Sequence, residues 1–365
     1  MRRALLILLA ALVAGVAGVA VWLLFPGSPA EARFDHSQCR RLALTDAETG
    51  ATLTGIEDIA SYGGDLFLSA QDRTAAEAAA QTGQTAPEGG IYRLPEGLLP
   101  RPGPHRMIPQ ATGLPTALHP HGIDASLAKL VAINRRYGPE GAEGHEMLVF
   151  AIREDHLEKL HRLPNPDLCA ANDLVLTGGA VKLSLDRAAC PGIDPWEQAS
   201  GGATGRLMTM GVSDFSSGGM RELIGEMTFP NGVGRIERDG VDLIAVAETR
   251  ANRITLVDNT LGSDYGRRGE IVLPGGPDNL TKAPDGRLVA ALHPSLIRLA
   301  LYRFGWWEAA PSRVVALDAE GRTEWLLDDP SGALFSAATV GVLTESGHLV
   351  AGSVREEGLL VCDPA

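Results

Sequence analysis

Five short polar clusters interrupt otherwise apolar stretches of this chain: Ile56-Glu57-Asp58-Ile59, His119-Pro120-His121-Gly122-Ile123, Ala171-Asn172-Asp173-Leu174, Phe229-Pro230-Asn231-Gly232-Val233 and Pro277-Asp278-Asn279-Leu280. Their side chains are carboxylates, carboxamides and imidazoles, groups that hold cations or move protons. Successive clusters lie roughly 50–65 residues apart. Brought together, Glu57, Asp58, Asp173 and Asp278 would repel one another and take up protons unless a cation sat among them. With the amides of Asn172, Asn231 and Asn279 they make a hard-oxygen set suited to Ca2+, which accepts about six to eight oxygen ligands in flexible geometry. Each cluster also has a plain reading. Asn-Gly and Asp-Asn make turns, Glu-Asp often marks a solvated strand edge, and His121 could be a buried histidine that orients a loop. Recurrence at one spacing is what favours a shared site.

The elements that must carry these groups are short strands. A Gly- or Asp-Gly-type turn leads into an apolar run, a polar break and a second run: 63–70, 239–248 continuing to 251–258, 285–294, and 346–354 continuing to 357–363, with 127–134 and 146–152 of the same kind. Runs of this length bounded by turn residues read as strands and hairpins. The chain holds 43 Gly and 23 Pro, so turns are frequent. Helical stretches are few: 74–81, Ala-rich and equally readable as a loop, and one around 154–162. The 74–90 Ala/Gln/Gly segment reads as a mobile insert. Hairpins recurring over about 330 residues, at about 40–50 residues per blade, make a β-propeller of six or seven blades. A double β-sandwich would use similar strands. If each blade turns its inner strand to a central channel, the five clusters meet on its axis. Trp306-Trp307, after the apolar Leu296–Phe304 run, reads as inter-blade packing or as a greasy rim near a membrane.

With 365 residues, 45% of them hydrophobic, the chain can bury one large core and is not broadly disordered. Lys+Arg number 32 and Asp+Glu 45, a net charge of −13, which argues against a duplex nucleic-acid binder. There is no G-x-S-x-G elbow and no G-x-x-x-x-G-K-[ST] phosphate loop. Met1-Arg2-Arg3 precedes an unbroken apolar run, Ala4 to Phe25, whose 22 residues match the ~20 that span a bilayer as a helix. The two arginines favour a cytoplasmic N-terminus. Residues 1–32 therefore read as a signal-anchor and linker, with residues 33–365 on the extracytoplasmic side of the membrane. The competing reading is a signal peptide cleaved near Ala32, after the small-x-small Ala30-Glu31-Ala32, and secretion. Four cysteines fit an oxidising compartment. A bond between Cys39 and Cys362 would staple the closure of a ring, and Cys169 with Cys190 forms a second plausible pair. Four cysteines allow three connectivities, and sequence alone does not choose among them. The lack of a C-x-x-C argues against a zinc knuckle or thioredoxin-type site.

These clusters, in this order, resemble the paraoxonase/arylesterase family of six-bladed, calcium-dependent lactonases. The resemblance runs from Cys39 to Cys362 on eight pieces: Cys39 followed by G-I-E-D-I, then P-H-G-I, P-x-x-x-x-x-N-D-L-V at 166–175, F-x-N-G-V, A-E-T-R-A-N-R-I at 247–254, D-N-L, H-P-S at 293–295 and a terminal L-V-C. It implies an all-β, six-bladed propeller behind an uncleaved N-terminal hydrophobic segment, a Cys39–Cys362 disulfide and two calcium ions. The catalytic ion would take Glu57, Asn172, Asn231, Asp278 and Asn279. The structural ion would take Asp58, Asp173 and the backbone carbonyl of Ile123. A rival pair, Asp258-Asn259, fits the family order less well than Asp278-Asn279. The implied reaction is hydrolysis of a lactone or carboxylic ester, with His121 as the base and His293, in the H-P-S turn, lining the channel. His119 reads as a solvated or packing residue. One departure matters: the family's animal members carry a second histidine in a V-N-H run, and the matching stretch here is Ile133-Asn134-Arg135. A guanidinium stays protonated and cannot relay protons, which weakens the case for arylesterase more than for lactonase activity. Two other readings remain open, a gluconolactonase-like sugar lactonase with a single metal and a non-catalytic, membrane-anchored propeller that binds a ligand.

Overall fold

Strands such as Lys129–Asn134 and Leu288–His293 are apolar at nearly every position. A strand needs that pattern when both of its faces are covered. The computed structural model, which describes residues 31–114, 116–137, 145–188, 202–211, 219–259 and 266–364, shows what covers them. In Lys129–Asn134, Leu130 and Ala132 pack toward the preceding sheet, while Val131 and Ile133 pack toward the following one. The hydrophobic core is therefore a ring of apolar layers, each wedged between two neighbouring sheets.

The sheets are the blades of a six-bladed β-propeller. Blade 1 comprises Ile56–Tyr62, Asp65–Ala70 and Gly90–Pro95; blade 2, Pro120–Ser126, Lys129–Asn134, Glu146–Ile152 and Leu157–Pro164; blade 3, Ala171–Thr177, Ala180–Leu185, Gly205–Gly211 and Arg221–Met227. Blade 4 comprises Pro230–Arg238, Val241–Glu248, Arg253–Asp258 and Arg267–Val272; blade 5, Gly276–Lys282, Leu288–His293, Ser312–Leu317 and Thr323–Asp329; blade 6, Ala338–Leu343, Leu349–Ser353, Leu359–Cys362 and Cys39–Leu42. The first strand of each blade is innermost. Each innermost strand touches those of both neighbouring blades, and the ring closes between blades 6 and 1. Six blades, rather than seven or a sandwich, thus follow from the strand order.

Closure uses segments near both ends of the described chain. Cys39–Leu42 is the outer strand of blade 6 and pairs antiparallel with Leu359–Cys362, with Cys39 opposite Cys362. These two residues form a disulfide across 323 positions of sequence. Cys169 is disulfide-bonded as well; Cys190 and the apolar run 4–25 lie outside the described residues. Among the described residues no helix is long and apolar enough to cross a membrane.

Three sequence expectations are corrected. The stretch around 154–162 is not helical. Leu157–Pro164 is the edge strand of blade 2, because pairing with a preformed sheet edge overrides a weak local preference. The 74–90 insert holds a defined helix, α1 (Arg73–Gln81), whose first turn is capped by Asp72 Oδ1 accepting from Ala75 N at 2.9 Å. Trp306 does not pack between blades: it is 79% exposed, beside Phe304, at the end of helix α2 (Leu296–Arg303).

Tying the ends of so long a segment removes much conformational freedom from the unfolded chain, worth about 4 kcal/mol or more in the loop-entropy account. Replacing Cys39 and Cys362 by serine is expected to lower the urea midpoint of unfolding accordingly. An unchanged midpoint would contradict the role given to this link.

Candidate functional site

Every inner strand carries a β-bulge near its start. The pairing register slips between Ile56 and Asp58, Pro120 and Ile123, Ala171 and Leu174, Pro230 and Val233, Pro277 and Leu280, and Ala338 and Val340. A bulge puts an extra residue in one strand and re-aims its side chains. Here the five polar clusters occupy five of the bulges, and Thr339 the sixth. Consecutive residues consequently reach two different cavities in the bore. Glu57, His121, Asn172, Asn231, Asp278, His293 and Thr339 line an upper cavity of about 410 Å3. Asp58, Ile123, Asp124 and Asp173 line a lower one of about 240 Å3.

The glycines of the P-H-G-I and P-N-G-V motifs make this convergence possible. A Cβ on Gly122 would stand 2.6 Å from Asn172 O and from Asp173 Cα, and one on Gly232 would stand 2.3 Å from Asp278 O. Only a residue without a side chain lets adjacent inner strands approach this closely. Side chains then stitch blade to blade. Asp58 Oδ2 accepts from Ile123 N (2.7 Å), Asp173 Oδ2 from Val233 N (2.7 Å), and Asp124 Oδ2 from Leu176 N (2.7 Å). Asn279 Nδ2 and Thr339 Oγ1 both donate to Glu57 O, at 2.9 and 2.8 Å.

Two carboxylate–imidazole pairs face the upper cavity. His121 Nδ1 lies 2.5 Å from Glu57 Oε2, and His293 Nε2 lies 2.6 Å from Asp278 Oδ2. Asp278 Oδ1 also accepts from Asn231 Nδ2. The remaining ring nitrogens, His121 Nε2 and His293 Nδ1, are buried with no hydrogen-bond partner, as are the amide oxygens Asn172 Oδ1 and Asn231 Oδ1. Burial pushes His121 well below the usual histidine range, and the charges of Arg135 and Arg73 push the same way against Glu57. His121 is therefore neutral near pH 7, with Nδ1 between Glu57 Oε2 and Arg73 Nη2 and Nε2 left without a partner.

One cation is built in. Arg73, the first residue of α1, sends its guanidinium into the bore, where Nη1 donates to Glu57 Oε1 at 2.8 Å and Nη2 meets Glu57 Oε2 and His121 Nδ1. Burial alone would raise the Glu57 carboxyl; Arg73 and His121 outweigh it and hold the group well below the ordinary range. The lower cavity is lined by Arg235 and Lys282 as well, but Arg235 pairs with Asp242 and neither forms an ion pair with Asp58 or Asp173. Burial first, then the charge of Glu57, pushes Asp58 up to about 8, and burial with the charge of Asp58 raises Asp173 well above its usual value. These two carboxyls behave as a buried like-charged pair.

Among the described residues no three His, Cys, Asp or Glu side chains gather closely enough to hold one ion, so a metal would depend on amide and backbone oxygens. The donors suit that. Asn172 Oδ1 and Asn231 Oδ1 are orphaned beside Asp278 above, and Asp58 and Asp173 crowd together below. Glu57 is the exception, since its carboxylate is already bridged by Arg73. Asn279 spends its amide N–H on the Glu57 carbonyl. Asp258 stands away from the bore, on the third strand of blade 4, and pairs with Arg268.

Of the residues that follow each second strand, sequence reading singled out only Arg135 and His293 and missed the rest. Arg73, Arg135, Asp186 with Arg187, Thr249, His293 and Val354 all line the upper cavity, and each lies at or just beyond the end of the second strand of its blade. That recurrence was the available signal. His119 is buried and meets Tyr137 edge-on, so it is a packing residue and not a solvated one.

No family model and no curated protein matches the chain. Among solved structures it is similar to a gluconolactonase from Xanthomonas campestris, with 14% identity over 94% of this chain and 97% of that one and a TM-score of 0.52. It is also similar to a luciferin-regenerating enzyme, with 12% identity over 89% of this chain and 95% of that one and a TM-score of 0.50. At these identities the likeness speaks for the fold.

Two outcomes follow from the electrostatics. The folded Asp58 carboxyl titrates above its unfolded value of about 3.9, so its contribution to stability is present below that value and lost as pH rises towards about 8. Protein stripped with chelator should therefore show a falling thermal midpoint over that range, and excess calcium should flatten or reverse the slope. Arg73→Met leaves Glu57 buried without its partner, which costs about 3–5 kcal/mol. The variant should melt earlier in chelator, bind calcium more tightly than the parent in equilibrium dialysis, and regain stability when calcium is added.

Proposed function

We propose that this chain is a calcium-dependent hydrolase of lactones or carboxylic esters, of the paraoxonase/arylesterase type. The observation that carries the reading is the meeting, in one cavity, of unpartnered amide oxygens, two carboxylates and two carboxylate-held histidines drawn from five of the six blades. Glu57, Asn172, Asn231 and Asp278 would hold the upper ion, and Asp58, Asp173 and the Ile123 carbonyl the lower one. When bound, the upper ion supplies a Lewis acid for the ester carbonyl.

The chain's own residues do the rest. His121, neutral at pH 7 and turned by Glu57, takes a proton from water at Nε2 as the water oxygen bonds to the carbonyl carbon. The bond to the leaving oxygen then breaks, and that oxygen receives the proton. His293 is held by Asp278 in the same wall and offers a second site for proton transfer. Asp58 and Asp173, below, hold the inner strands in register beneath the reacting group. Residues 4–25 would anchor the propeller outside the cytoplasm, a placement supported by the Cys39–Cys362 bond, which is at home in an oxidising compartment.

A single-ion reading, of the gluconolactonase kind, is favoured by one observation, the bridging of Glu57 by Arg73. Metal analysis separates the two, with two calcium ions per chain on the main reading and one on the other.

Chelation is expected to abolish hydrolysis of an aliphatic lactone, and re-addition of calcium to restore it. His121→Gln should lower kcat by about 10²-fold or more. Because the folded histidine titrates below about 6.5, the base is present at neutral pH and the parent's rate should fall only as pH drops through the lowered value. Full activity in excess chelator would end the reading.

A further inference from the structure

The chain as a whole is strongly acidic, with a net charge of −13, yet one wall of its upper cavity is basic. Arg135, Arg136 and Arg187, from the ends of the second strands of blades 2 and 3, line that wall together with, among the described residues, a single carboxylate, Asp186. Asp186 Oδ1 lies 2.9 Å from Arg187 Nε, while its Oδ2 is 3.9 Å from Arg135 Nη2. Arg135 Nη2 donates to Ala171 O at 2.7 Å and Arg187 Nη2 to Cys169 O at 3.1 Å. The Nε of Arg135 is buried and unpartnered. Arg135 and Arg187 thus share one carboxylate, with the Arg136 guanidinium on the same wall, in a partly enclosed space where uncompensated charge is costly.

The neighbouring imidazole registers this field. His145 lines the same wall, is buried, and accepts from Arg136 N at Nδ1 (3.3 Å). Burial, then Arg135, Arg187 and Arg136, push it down to about 4. It is therefore neutral and adds no positive charge. The acidic residues facing the cavity from other elements do not serve this wall: Glu57 is bridged by Arg73, Asp278 is held by His293 and Asn231, and Glu77 stands 4.0 Å from Arg303 across the mouth.

We propose that Arg135, Arg136 and Arg187 form a subsite for an anionic substituent, so that the natural substrate is a lactone or ester bearing a carboxylate or phosphate. Planar guanidinium forks match both groups in a two-point fashion that a lone ammonium does not. The subsite shares one cavity with His121 and His293, so a single small molecule can place its charged end on Arg135 and its ester carbonyl over the histidines. Arg135, in this setting, is a specificity residue and not a substitute for a proton relay.

This inference rests on the hydrolase reading for its reaction but not for its binding, and the test separates the two. A five-membered lactone carrying a ring carboxylate is compared with its neutral methyl ester on the intact, calcium-loaded protein, by turnover and by calorimetric binding. The carboxylate is expected to win by about tenfold or more in kcat/KM and in affinity at low salt, with the advantage shrinking as salt rises. Arg135→Met and Arg187→Met should each erase most of that preference, whereas Arg135→Lys should keep part of it; far-UV circular dichroism checks that each variant folds. Acetate and inorganic phosphate as competitors distinguish the two anions, and inhibition by either supports the subsite. Calorimetric binding of the carboxylate without turnover of either compound would sink the hydrolase reading and leave the subsite standing. Equal or better handling of the neutral ester by the unmodified protein, or indifference to both competitors, overturns the subsite.

Discussion

A β-bulge at the start of each inner strand is the constraint on which the remaining architecture depends. In an unbroken strand, neighbouring side chains point to opposite faces, each covered by the next blade. The bulge breaks that alternation where the six strands converge, and residues such as Glu57 and Asp58, or Asn172 and Asp173, enter the bore one above the other. The close approach of strands at Gly122 and Gly232 keeps these side chains buried. What enters the bore finds its partners in an adjacent blade, as Asp58 does at Ile123 and Asp173 at Val233, or in its own, as Asp278 does at His293, while Asn172 Oδ1, Asn231 Oδ1 and one nitrogen each of His121 and His293 stay unpartnered.

The bore is accordingly divided by charge. Above, Arg73 and the histidines answer the carboxylates, and the arginines of blades 2 and 3 exceed them. Below, Asp58 and Asp173 share a small space, form no ion pair with the Arg235 and Lys282 that also line it, and are pushed toward the protonated form. The same pair of adjacent residues contributes to both regimes, so a change at 57–58 or 172–173 is felt on both floors. Arg73 joins them to the outside, because it is the first residue of α1, a helix inserted between the second and third strands of blade 1.

Much of this was legible in the chain. The turn-bounded apolar runs at 127–134, 285–294 and 346–354 are strands, since a run apolar on both faces has few other uses. The five clusters were recognisable because strand-to-strand recurrence is written in sequence spacing. Arg73 was not, because nothing in an Ala-rich segment says which way its first residue points. Edge strand 157–164 escaped for the opposite reason. It is mostly exposed and polar, and its extended form comes from its neighbour, not from its own composition. Trp306 shows the same limit, as an aromatic residue carries no mark of whether the surface beside it is filled.

The bond between Cys39 and Cys362 turns the propeller into a topological loop. A protease that opens any single connection between blades yields a nicked but undivided molecule, whose new termini both sit within a ring still sealed at blade 6. Such a molecule would run as two fragments only after reduction. Cutting and disassembly thereby become separate events.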